Sequence, residues 1–240
     1  MALPQGRDEG RLSQIQTNWT EVFGSCNEQP SVASQAQRDL LVRYAGPVYR
    51  YLRGAVRDPD VADDLAQEFA FRIVRGDFRN ANPGRGRFRD FIKRALRNLV
   101  TDYFRKQNKR PASLSPQMAQ IADASSPVVN DDFDHVWRKE LLSQTWNAMD
   151  EADQASGTCY ALVLRERAQN PAFNSSDLAV KISDQLSREV NAAWARQTLR
   201  RARVRFAELL RKEVAKTLGV VSDENVDGEL GELGLLKYTR

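Results

Sequence analysis

GRGRFRDFIKRALRNLVTDYFRKQNKR, from Gly84 to Arg110, sets ten Lys and Arg against two Asp and threads Phe88, Phe91, Tyr103 and Phe104 between them. At helical spacing Phe88, Phe91, Ile92, Ala95, Leu99 and Tyr103 fall on one stripe, with Arg89, Lys93, Arg97 and Arg105 displaced from it. The stretch therefore reads as a helix with one face in a core and another seeking phosphates. A solvated charged face has the same composition. The nucleic-acid reading gains weight from a second basic helix far down the chain.

Charge is segregated along the sequence. Residues 36–111 hold 18 basic against 9 acidic residues and 161–220 hold 12 against 6, while 112–160 between them hold 2 against 8. The first 35 residues are mildly acidic, with 2 against 4, as is the end from 221, with 2 against 5. Two cationic blocks on either side of an acidic spacer suit a polyanion touched at two places, not a membrane surface, which asks for one amphipathic helix with a large apolar face.

With 240 residues and 41% hydrophobic content the chain has material for two modest cores. No apolar run approaches membrane-span length, and the opening MALPQGRDEGRL lacks a signal-type apolar segment, so a cytoplasmic protein is expected. Cys26 and Cys159 are too few and too far apart for a disulfide framework or a zinc site, and neither metal nor cofactor is expected.

Periodicity organises the rest. Leu40, Leu41, Tyr44, Val48, Leu52 and Ala55 mark a helix, with a kink or fresh start at Gly46-Pro47. Asp58-Pro59-Asp60 closes it, and Asp60 is expected to cap a second helix buried along Val61, Leu65, Phe69 and Ile73. PASLSPQMAQIADASSPVVN, at 111–130, reads as a linker rich in Pro and Ser. Helical spacing then resumes through Phe133, Trp137, Leu141 and Met149 to a stop near Ser156-Gly157, and again over 158–168. A helix capped by Ser175 or Ser176 comes next, and a long one capped by Asn191 carries Ala195, Leu199, Ala202, Phe206, Leu209 and Leu210 as its apolar stripe. No segment alternates with period two, so the expected fold is all-α. The pair 176–186 and 191 onward, with its tight connection, has helix-turn-helix spacing, in which the start of the second helix enters a major groove. Trp194 fits either a core or a DNA contact.

These residues carry a resemblance. YAGPVYRYLRGAVRDPDVADDLAQEFAFRIVR, with DDLAQEF at 63–69, resembles the paired helices of sigma factor region 2. GRFRDFIKRALRNLVTDYFRK at 86–106 is similar to the family's next segment, including the spacing of Arg97, Asn98 and Asp102. ARQTLRRARVRFAELL at 195–210 resembles the region 4 recognition helix. Order, linker and size are similar to the extracytoplasmic-function group, which keeps only regions 2 and 4. TNWTEV at 17–22 and GRFRDF resemble a branch abundant in Planctomycetes. The implied domains are an N-terminal extension over 1–35, region 2 over 36–110, the linker over 111–130, region 4 over 131–219 and an acidic tail over 220–240. The connection 186–190 lacks the turn glycine usual in the family, and Trp194-Ala195 departs from its pattern.

The resemblance implies an initiation factor that binds core RNA polymerase, brings it to promoter DNA and helps open the duplex, with the chemistry left to the polymerase. Asp63, Asp64, Leu65, Gln67, Glu68 and Phe71 would dock on the polymerase. Arg79, Asn80, Arg85, Arg87, Phe88, Arg89, Lys93, Arg97 and Asn98 would meet the minus-ten element, where a melted strand wants cations and stacking surfaces. Asn191, Trp194, Arg196, Gln197, Arg200 and Arg203 would read the minus-thirty-five duplex. An anti-sigma factor or a regulatory kinase is a further class of partner within the resemblance, and the residues name neither. An enzyme is disfavoured: His135 is the only histidine, and no Gly-rich phosphate loop occurs. The nearer alternative is a helix-turn-helix regulator that never engages polymerase.

Overall fold

The computed structural model of the chain describes residues 32–75, 88–108, 128–218 and 221–239. Among these the regular elements are all helical, in agreement with the all-α expectation. They divide into two compact units, the first ending at Trp137 and the second beginning at Arg138. The expected N-terminal extension and linker lie almost wholly outside the described residues.

In the first unit, helix α1 (Val32–Val56) runs through Pro47 as a single element, so no fresh start occurs at Gly46-Pro47. A helical proline forfeits a hydrogen bond and crowds the preceding turn. Here Tyr44, Ala45, Val48, Tyr49 and Leu52, all on the buried side around it, hold the helix together. Arg57, with φ 57°, ends α1 in the left-handed region. Helix α2 (Pro59–Val74) is capped by Asp58, not Asp60: Asp58 Oδ1 accepts from the amides of Asp60 at 2.9 Å and Val61 at 3.3 Å. Pro59 at the first helical position has no N–H to satisfy, which moves the cap one residue ahead of it.

Helix α3 (Phe88–Asn108) buries Ile92, Leu96, Leu99, Val100 and Phe104. That stripe is rotated from the expected one: Leu96 and Phe104 lie inside, while Phe91, Ala95 and Tyr103 are only partly buried. Helix α3 packs on α1 and α2, and the early residues of helix α4 (Val128–Ser156) belong to the same unit. Trp137 stacks on Tyr44 with ring centroids 4.2 Å apart, and Phe133 meets Tyr51 edge-on at 5.8 Å. The first core therefore extends beyond 110, to residues expected to open the second domain.

The second unit holds the rest of α4, then α5 (Tyr160–Gln169), α6 (Ser175–Leu186), α7 (Ala192–Ala215), α8 (Asp223–Glu232) and a 3₁₀ turn, Leu236–Tyr238. Val163, Leu178, Ala179, Ile182 and Ala195 form a core of α5, α6 and α7, against which Cys159, Leu186, Val190, Trp194 and Leu199 pack. Asn174, not Ser175 or Ser176, caps α6, and its partner in a reciprocal capping box is Asp177. Asn191 caps α7 as expected, accepting from the Trp194 amide at 2.8 Å. Between the two helices Ser187 takes φ 48°, the left-handed position that a glycine fills at no steric cost. Ser183 Oγ accepts from the Val190 amide at 2.9 Å and ties the turn to α6.

The expected acidic tail is largely a packed element. Val226, Leu230, Leu233 and Leu235 are buried, Ser222 caps α8, and Tyr238 meets the ring of Phe206 edge-on at 6.5 Å. Five acidic residues masked an apolar set with helical spacing, Val226, Leu230 and Leu233.

Candidate polymerase and nucleic-acid interfaces

On α2, Asp64, Gln67, Glu68 and Phe71 are exposed and recur at i, i+3, i+4 and i+7, so they share one face. Phe71 is 48% exposed, an aromatic left in water beside carboxylates and an amide. An aromatic anchor rimmed by polar groups is the usual composition of a docking patch. Glu68 Oε1 accepts from Arg72 Nε at 2.9 Å, one turn on. Leu65, expected on this surface, is buried at 8% exposure with Ala62 and Phe69, because it falls on the opposite stripe. Asp63 is partly buried.

Of the residues expected at the minus-ten element, Arg79, Asn80, Arg85 and Arg87 lie outside the described residues, as does the side chain of Phe88. Arg89 is 3% exposed and faces Asp134 of α4, Nε to Oδ1 3.4 Å. Lys93 Nζ donates to Asp134 Oδ2 at 2.6 Å. Two cations of the expected phosphate row thus point to one carboxylate inside the unit. Arg97 is partly buried and Asn98 exposed. The exposed residues of α3 are Asp90, Arg94, Asn98, Arg105 and Lys106, a side that rotating the stripe onto Leu96 and Phe104 would have identified. Asp134 itself left no local signal: it lies 41 residues beyond Lys93.

On α7 the structure brings three of the six expected residues, Arg196, Arg200 and Arg203, together along one groove. Arg196, Gln197, Arg200 and Arg203 are exposed. Arg196, Arg200 and Arg203 line a groove of about 770 Å³ whose other wall includes Arg167 of α5 and Asn174 and Ser175 at the start of α6. Arg167, missed in the sequence, donates to the Phe173 carbonyl and is placed there by the fold alone. Trp194 is partly buried against the core, with the Arg188 guanidinium 5.5 Å from its ring centre. The core role is therefore the one its surroundings supply. Asn191 is exposed, but its side chain is occupied by its own helix start.

Charged and aromatic contacts orient α7. Arg165 of α5 grips Asp150 of α4 with two hydrogen bonds, 2.7 and 2.6 Å, and lies 4.8 Å from the Trp146 ring centre. Trp146 in turn packs on Phe206 of α7 at 4.9 Å. The Arg165 hydrogen bonds hold the Asp150 carboxyl below its ordinary pKa, and the same bonds raise that of Arg165. Buried Glu166 accepts from Gln185 Nε2 at 2.6 Å, which joins α5 to α6. Burial pushes the Cys159 thiol upward, with the Asp153 carboxylate adding to it, so the thiol is not activated.

Among the described residues no group of His, Cys, Asp and Glu is placed to hold a metal, and no helix is long and apolar enough to cross a membrane. No curated protein and no solved structure gives a significant match. A family model, Sigma-70 region 2, matches residues 40–110, which take in most of α1 and all of α2 and α3, and this match supports a sigma factor's role in transcription initiation for the chain.

Proposed function

We propose that the chain is a sigma factor of the extracytoplasmic-function kind, working in the cytoplasm, that binds core RNA polymerase, directs it to promoters and assists melting. The observation that carries this reading is the region 2 match over 40–110, which coincides with a helical set exposing Asp64, Gln67, Glu68 and Phe71. Those four form the proposed polymerase-docking face, where carboxylates and an amide meet basic side chains around an aromatic anchor. Arg94, Arg97, Asn98 and Arg105 form the proposed minus-ten face on α3. With α6 and α7 as a DNA-reading helix-turn-helix, Arg196, Gln197, Arg200 and Arg203 are the proposed contacts to the minus-thirty-five duplex, by base edges and phosphates.

Capture of genomic duplex fragments by the full chain, with and without core polymerase, tests this. The expected result is a set sharing a two-part motif only when polymerase is present. The same set captured equally well by the chain alone would favour a helix-turn-helix regulator that acts without polymerase.

A further inference from the structure

One face of α7 carries Arg196, Arg200, Arg203 and Arg211 along the same groove. At 1.5 Å per residue, Arg196 to Arg203 covers roughly 10 Å, close to the roughly 12 Å width of a major groove, whereas Arg196 to Arg211 covers roughly 22 Å. Arg211 would therefore reach past the groove to a phosphate that the other three do not address. Two carboxylates occupy it. Arg211 Nη2 donates to Asp223 Oδ1 at 2.8 Å, and Nη1 donates to Asp227 Oδ1. Both come from one face of α8, a turn apart, and α8 is anchored by Val226, Leu230 and the Leu233 just after it, all buried. The carboxylates are held by a built element, and two of them against one guanidinium leave the spot net negative.

We infer that α8 is an electrostatic stop: Asp223 and Asp227 remove Arg211 from the cationic row of α7, so that duplex contact ends near Arg203. The chemical partner is the phosphate backbone of double-stranded DNA, and the consequence is less sequence-independent grip. The two hydrogen bonds also raise the Arg211 pKa, Asp227 first and Asp223 second, so the guanidinium stays charged. This inference rests on the reading of α7 as a duplex-binding helix.

Anisotropy of a short labelled random-sequence duplex, titrated with the full chain over a range of salt, separates the two. Freeing Arg211 in D223N/D227N is expected to steepen the log-log salt slope by about 0.9, one added phosphate contact, and R211Q placed on top of it to return the slope to the starting value. Either single variant is expected to lie between wild type and double, so the effect can be read even where the double variant does not fold. Slopes unchanged in all three Asn variants, or a steeper slope surviving R211Q, would overturn the inference. R203Q serves as the control for the underlying reading: it is expected to flatten the slope by about 0.9, and if it does not, α7 is not a duplex-binding helix.

Discussion

Asp150 and Arg165 show what a single pair contributes to holding the proposed DNA-reading helix. The Asp150 carboxyl is depressed by its hydrogen bonds from Arg165, so the folded state binds its proton less readily than the unfolded chain does. Its contribution to stability is then present above the unfolded value of about 3.9 and lost as pH falls through the lower folded value. Both side chains are more than a third exposed, so the effect is small and screened by salt. Thermal melting from about pH 5 downward is expected to fall less steeply in D150N than in wild type, the two converging in strong acid. Parallel curves over that range would mean that the pair contributes nothing. Such pairs are where sequence reading stops: Asp150 and Arg165 were legible as charges, and Asp134 as part of an acidic spacer. Their partners are set by packing, which periodicity does not encode. The surface side chains Asp64, Gln67, Arg196 and Arg200 were legible because exposure on an amphipathic helix follows from spacing alone.

At the scale of elements, the helices were readable and their neighbours were not. The stripe Phe133, Trp137, Leu141 and Met149 was correctly apolar, yet nothing in it tells that Phe133 and Trp137 serve the first core and the later residues the second. Likewise α3 was placed well and rotated wrongly, since Leu96 and Phe104 could be sorted from Phe91 and Tyr103 only by knowing what packs on them. The assignment of Trp137 to the first core is testable. It is fully buried and stacked on Tyr44, so W137A is expected to cost about 3 to 5 kcal/mol, with the loss read by Tyr44-side probes of the first unit in denaturant melts. A loss confined to the second unit would show that the early turns of α4 do not belong to the first core. Capping residues moved toward the N-terminus by one or two positions at α2 and α6 for local reasons, a proline in one case and a reciprocal Asn-Asp box in the other.

For the whole molecule, the alternation of basic and acidic blocks was the most informative feature of composition. Three of the spacer's eight acids are engaged inside the units: Asp134 with Arg89 and Lys93, Asp150 with Arg165, and Asp153 with the Ala161 amide at 2.7 Å. The final acidic stretch is engaged with Arg211. Cations left open on α3 and α7 are thus a selected subset. Each unit thus leaves one basic helix face open, and the first unit also exposes a polar face with one aromatic anchor on α2. The most direct measurement is the affinity of the full chain for core RNA polymerase, beside that of D64A/Q67A/E68A with an unchanged thermal melt. A sigma factor docking through α2 requires tight binding by the wild type and a loss of at least about tenfold, on the order of 1.4 kcal/mol, in the triple variant. No binding of the wild type would contradict the sigma reading, and equal binding of the two proteins would contradict docking through this face.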